Sequence, residues 1–165
     1  MASMAAASVL PQIDFTSAKA GLSALMDEVV HNHQPRVVQR RGREAMLLVR
    51  SDDLARWLDT FRLDIRLILN EGEVTAEVRE MGILGFGETV EAALEDLASE
   101  LGAYAADFFA RMQFYRETNR FAHAPALLRF AVTPADRRLD LIYEDIEAAA
   151  KQAHGAGQGA VTSTA

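Results

Sequence analysis

The chain has 165 residues, 50% of them hydrophobic, a formal net charge of −7 and no cysteine. At roughly 100–200 residues per domain this is one domain or two small ones with a buriable core, and the missing thiols exclude a disulfide scaffold, thiol catalysis and thiolate zinc. Charges interrupt every apolar run before the roughly 18–20 residues that a bilayer requires, and the opening residues lack the cations and apolar stretch of a signal peptide, so a cytoplasmic protein without a membrane partner is expected.

Residues 1–9 carry no pattern and are expected to be a disordered start. Leu10-Pro11-Gln12-Ile13-Asp14-Phe15 reads as a short edge strand, where proline is tolerated. Thr16 then caps a helix over about residues 17–33, whose Leu22, Leu25, Met26, Val29 and Val30 predict a single buried stripe. His31 to Pro35 breaks it. Two β-type runs follow, Arg36-Val37-Val38-Gln39-Arg40 and Ala45-Met46-Leu47-Leu48-Val49, joined as a hairpin at Gly42. Ser51-Asp52-Asp53 supplies a capped acidic start for a helix to about residue 62, in which Leu54, Trp57, Leu58 and Phe61 pack within this unit or its dimer.

A second hairpin is expected from residues 63–69 and 74–78 around Asn70-Glu71-Gly72-Glu73. Gly82-Ile83-Leu84-Gly85-Phe86-Gly87 reads as a turn into a long helix capped by Thr89, with Val90, Ala93, Leu94, Leu97, Leu101, Tyr104, Ala105 and Phe108 on one face. It lacks the Gly-Lys-Ser/Thr ending of a phosphate-binding loop. Residues from Met112 to Phe130 are less regular. Thr133-Pro134 starts a last helix through Ala150, and residues 154–165 form a tail too polar and glycine-rich to order itself. The fold class is α+β: a strand-helix-hairpin-helix unit over 10–62, a sheet-plus-helix unit over 63–112 and a helical partner-binding or oligomerisation region over 113–153.

The charge is unevenly spread. Residues 1–50 hold six Lys/Arg against four Asp/Glu, whereas residues 51–165 hold eleven against twenty. A small phosphate-binding module joined to an acidic body would look like this. No acid–base pair, nucleophile triad or metal-ligand cluster emerges, so no catalytic residue, metal or cofactor is expected. Aromatic and large apolar residues at Phe108, Phe109, Met112, Phe114 and Tyr115 surround a helix end too completely for one core face, which marks them as partner-binding candidates.

Ile13-Asp14-Phe15-Thr16-Ser17-Ala18-Lys19-Ala20-Gly21-Leu22-Ser23, the turn Arg40-Arg41-Gly42-Arg43-Glu44 and the helix start Ser51-Asp52-Asp53-Leu54 resemble the Phd/YefM (prevent-host-death) antitoxin family. The resemblance implies a dimer that presents its first helices to the DNA major groove and represses its own operon. It implies DNA contacts at Thr16, Ser17 and Lys19, with the helix start offering free N–H groups, and further charge from Arg36, Arg40, Arg41 and Arg43. Lysine at 19, where the family more often has arginine, suits a phosphate better than a base edge. More faintly, Gly87-Glu88-Thr89-Val90-Glu91-Ala92-Ala93 after a short antiparallel sheet resembles the HicB antitoxin domain, which implies that residues 63–112 bind a toxin.

The resulting expectation is a non-enzymatic, type II antitoxin that forms a homodimer or higher oligomer, binds operator DNA and neutralises a cognate toxin. A basic RNA-cleaving toxin would complement the acidic body. The alternative is a stand-alone transcriptional regulator whose C-terminal part senses a small molecule or mediates oligomerisation.

Overall fold

The computed structural model describes residues 9–158, with side-chain environments through residue 153, and these residues fall into two units divided between Arg56 and Trp57. Most of the expected start and the end of the expected tail, residues 159–165, lie outside the described residues. The last helix continues to Gln158 rather than stopping at Ala150, because Ala148 to Ala153 are nearly all strong helix formers.

In the first unit, strand β1 (Gln12–Asp14) pairs in parallel with β2 (Arg36–Arg40), which pairs antiparallel with β3 (Glu44–Leu48). β1 is an edge strand, and Pro11 just before it contributes only its carbonyl, which accepts from Val37 N at 3.0 Å. The hairpin turns through Arg41 and Gly42, both at positive φ (53° and 68°), with Arg43 N donating to Arg40 O at 3.3 Å. The left-handed backbone of this turn explains Gly42; Arg41 adopts it without glycine's freedom.

Helix α1 (Phe15–Ala20) leaves β1 directly. Its cap is Asp14, not the expected Thr16: Asp14 has an extended backbone and its carboxylate accepts from Thr16 N at 3.0 Å and Ser17 N at 3.1 Å. A carboxylate at that position reaches two orphan N–H groups at once, leaving Thr16 inside the first turn. Gly21 interrupts the expected continuous helix, and α2 runs from Leu22 to His31. The expected stripe lies wholly on α2 but is only partly covered. Leu25 and Val29 are buried, whereas Leu22 and Met26 are 53% and 55% exposed. A short helix α3 (Ser51–Trp57) follows β3, and Trp57 and Phe61 are exposed instead of packed within the chain.

The second unit is built on an antiparallel sheet of β4 (Ile65–Asn70), β5 (Glu73–Val78) and β6 (Ile83–Gly87), followed by helix α4 (Val90–Ala110) with Thr89 as its cap. The glycine-rich stretch expected to be a turn is thus mostly a third strand. Its glycines bring strand and helix together: a Cβ on Gly85 would lie 2.3 Å from Leu97 N, and one on Gly87 would lie 2.5 Å from Ala93 N. No other residue permits that approach.

The less regular region is also ordered. It contains α5 (Met112–Tyr115), a 3₁₀ turn over Asn119–His123 and α6 (Ala124–Val132), with a proline in the first turn of α6 where its missing N–H costs nothing. Pro134 precedes another 3₁₀ turn, Ala135–Arg137, before α7 (Arg138–Gln158). One core joins Val74, Ala76 and Val78 of β5 to Leu94, Leu97, Leu101 and Phe108 of α4, to Leu127 and Phe130 of α6 and to Leu141 and Ile142 of α7. No described helix is long and apolar enough to cross a membrane.

Candidate nucleic-acid interface and partner surface

The parallel register of β1 on β2 sets Asp14 opposite Gln39, so the beginning of α1 lies beside the end of β2. Arg40 then places its guanidinium over the Phe15 ring at 5.9 Å. This contact joins the arginine turn to the helix start as one edge of the first unit. Arg40 also pairs loosely with Glu44 at 3.3 Å, and both are exposed. Arg41, Arg43 and Lys19 are exposed, and no carboxylate pairs with them among the described residues.

Two parts of the expected site are arranged otherwise. Arg36 turns away from the edge: its guanidinium meets Glu28 at 2.9 Å and Gln34 at 2.8 Å and is mostly covered. Lys19 lies in the last turn of α1, because the helix starts at Phe15 and ends at Ala20, before Gly21. The N–H groups of Thr16 and Ser17 are not free for phosphate, since the Asp14 carboxylate holds both. The hydrogen bonds from the Ser17 hydroxyl and backbone keep that carboxyl below its ordinary range, so it remains ionised. What this helix start offers a nucleic acid is the exposed Thr16 hydroxyl, since the Ser17 hydroxyl already donates to Asp14.

The loop after α2 is fastened to α3 within the same unit. His33, at φ 53°, contacts Asp53 through Nδ1 at 2.8 Å and Arg50 through Nε2 at 3.0 Å, and Arg50 reaches Asp52 at 2.7 Å. The arginine can only donate, so the ring accepts at Nε2 and donates from Nδ1. Among the described residues, no three His, Asp or Glu side chains converge as a metal site.

The aromatic group expected to meet a partner splits in two. Phe108 and Tyr115 belong to the core, stacked at 4.7 Å, because the chain breaks at Arg111 and α5 folds Tyr115 back onto α4. The Tyr115 hydroxyl donates to Asp107 at 2.6 Å while Arg111 forks onto the same carboxylate. Arg111 and Tyr115 together hold the Asp107 carboxyl low, and the same hydrogen bond pushes the Tyr115 phenol up. Met112 and Phe114 are exposed, and Phe109 lines a shallow pocket with Gly102, Phe130 and Arg138. Of the five, Phe109, Met112 and Phe114 keep solvent-accessible surface.

Sequence reasoning did not find the second unit's buried charges. Asp145 of α7 accepts from Leu63 N at 2.9 Å and from Arg129 of α6 at 2.8 Å, and Arg62 approaches it at 3.3 Å. Arg129 also reaches Asp59 at 3.1 Å. An aspartate between Leu141, Ile142 and Ile146 on a helical face was the available signal, as charges on an apolar face must find partners.

The PHD_like family, described as "Antitoxin of toxin-antitoxin, RelE / RelB, TA system", matches residues 9–143. Among solved structures, the crystal structure of a protein described as an antitoxin part of a toxin/antitoxin system from Syntrophomonas wolfei subsp. wolfei is similar in fold. It has a TM-score of 0.67 and 20% identity, and the similarity covers 80% of this chain and 96% of that one. No curated protein matches the chain. Neither similarity supports the HicB resemblance of residues 63–112; the matched family runs through that segment without a break.

Proposed function

This chain belongs to the PHD_like antitoxin family, a non-enzymatic class, and on that footing we propose that it binds operator DNA as a dimer and neutralises a RelE-type toxin with its second unit. The observation that carries the DNA reading is the Arg40–Phe15 stack, which sets the arginine turn against the start of the helix that carries Thr16 and Ser17. Lys19 follows on the same helix. Such an edge suits phosphate contact, and two copies would read a palindrome. Repression of its own operon then follows, and toxin occupancy tunes it by changing how dimers bridge the operator.

Dimerisation is supported by the first unit's thin core, which consists of Ala18, Leu25 and Val38 with Ile13 and Leu48 against it. Leu22, Met26, Met46 and Leu47 remain open to solvent. A unit of this size with so few buried residues gains from covering them with a second copy.

Toxin binding falls to the second unit on its charge. Its three-stranded sheet followed by a Thr89-capped helix also has the order that a HicB-like domain would require. A cytoplasmic location accords with both activities.

The test is binding of the full chain to its own upstream DNA across a salt series, with Lys19→Ala and Arg40→Ala/Arg43→Ala beside the parent. Specific binding should fall steeply with salt, and each lost phosphate contact should lower the slope by about one. Absence of specific binding by a folded dimer would remove the operator role.

A further inference from the structure

One face of the β4–β5–β6 sheet is covered except near Leu69 at its end, and the other is bare. α4 covers the face that carries Ile65, Val74, Ala76, Val78 and Gly85. On the opposite face the register places Ile68, Thr75 and Phe86 in one row and Arg66, Glu77 and Leu84 in the next. The solvent face of an antiparallel sheet is ordinarily polar. Here Phe86 and Leu84 are 49% and 39% exposed.

The charge around this face is one-sided. Residues 63–100 contain ten Asp/Glu and two Arg. Both arginines are occupied within the sheet, Arg66 by Glu77 at 2.6 Å and Arg79 by Asp64 at 3.2 Å. No cation pairs with Glu71, Glu73 or Glu88 among the described residues. Because Val74 pairs with Gly87, these three carboxylates gather at one end of the sheet, beside the row that holds Ile68 and Phe86.

Together these features select an occupant. Two copies of so acidic a face repel each other, which disfavours self-association there. Strand addition at the β6 edge is blocked at Phe86, whose N–H donates to Asp96 at 2.9 Å. What fits is an apolar contact surrounded by cations. A protein that handles RNA carries its cations where phosphates sit, and a carboxylate rim can take the place of those phosphates.

We propose that this bare sheet face, centred on Phe86 and Ile68 and rimmed by Glu71, Glu73 and Glu88, is the surface that docks the basic RNA-handling face of the toxin. The inference rests on the antitoxin reading above and assigns it a place on the molecule. The aromatic centre holds the complex together, and the carboxylates accelerate encounter.

The experiment measures association and dissociation between the full chain and the purified RelE-type protein encoded beside it, at low and high salt. Phe86→Ser should weaken binding about tenfold or more, mainly through faster dissociation. Glu71→Lys/Glu73→Lys should slow association about tenfold at low salt, with a smaller effect at high salt. Circular dichroism melting checks both variants, and the turn variant retains the test if Phe86→Ser does not fold. Parent-like kinetics in the folded variants would overturn the proposal. So would a Phe86→Ser variant with a smaller assembly and unchanged toxin affinity, which would make this face a contact between copies. A parent that fails to bind the encoded protein would instead overturn the antitoxin reading itself, and the docking surface with it.

Discussion

The guanidinium of Arg129 meets the carboxylate of Asp145 at 2.8 Å with both side chains shut from water, 4% and 0% exposed. The same carboxylate accepts from Leu63 N, so it fastens the segment entering β4 to α6 and α7. Removing Arg129 leaves the buried Asp145 carboxylate with only Leu63 N and the longer contact to the partly exposed Arg62. Arg129→Met should destabilise the second unit by about 3–5 kcal/mol, measured by urea unfolding. Arg129→Met/Asp145→Leu should recover part of that loss; a single variant within about 0.5 kcal/mol of the parent would show that the pair is better solvated than its burial indicates.

Gly85 and Gly82 separate close packing from backbone freedom. Gly85→Ala drives a methyl into the α4 backbone, and overpacking of this kind costs about 1–3 kcal/mol or more. Gly82 has φ 66° with open space around it, so Gly82→Ala should cost only about 1–2 kcal/mol of left-handed strain. Melting of the two variants should rank Gly85→Ala lower. The reverse order would mean that α4 lies farther from β6.

His123 confers a pH dependence on the second unit. Burial pushes its pKa below the ordinary 6.5, outweighing the opposing effect of Glu80, and its Nδ1 is 3.0 Å from the Tyr104 hydroxyl. Burial raises the Tyr104 phenol, so it stays protonated and donates to the neutral ring. A folded-state pKa below the unfolded one means that the unfolded chain binds more protons, so this contribution is complete above pH 6.5 and is lost as pH falls towards the folded-state value. The melting temperature of the parent should drop more between pH 7.5 and 5.5 than that of His123→Gln. Equal drops would assign the effect elsewhere.

Arg36 and Arg43 should behave differently although both belong to the basic first unit. Arg36 is tied to Glu28 and Gln34, whereas Arg43 stands on the exposed turn. Arg36→Ala should lower stability with little change in the salt slope of DNA binding. Arg43→Ala should lower that slope by about one at unchanged melting temperature. A slope change for Arg36→Ala equal to that of Arg43→Ala would mean that Arg36 leaves Glu28 to reach DNA.

The open residues of α2 and β3 yield an oligomerisation prediction. Met26→Glu/Met46→Glu should convert dimers to monomers in sedimentation experiments at micromolar concentration, since burying two carboxylates at an apolar contact is costly. A parent that is monomeric at such concentrations would assign the exposed apolar residues to another partner.

Periodicity and turn chemistry lie in neighbouring residues, and the features that depend on them were legible before folding. The heptad-like recurrence from Val90 to Phe108 reads as one helical face, and Thr89 caps it through Ala92 N at 3.1 Å. The two hairpins are set by alternating β-type runs around Gly42 and Gly72, both at positive φ. The basic start and acidic body likewise belong to the sequence alone, as does the family motif over Ile13 to Ser23.

Tertiary structure decided whatever depends on residues far apart in the chain. Asp14 competes with Thr16 as cap because strand β1 holds its backbone extended, and β1 exists only by pairing with β2 more than twenty residues later. The glycines of β6 look like a turn until α4 comes to rest against them. Tyr115 and Phe108 read as an exposed cluster until α5 folds one over the other, and Asp145 has no evident partner until α6 brings Arg129 to it and the chain before β4 presents Leu63 N, 82 residues away. Local patterns select elements because each backbone samples them independently. Burial and ion pairing appear only when the collapsed chain excludes water from groups that the sequence keeps apart.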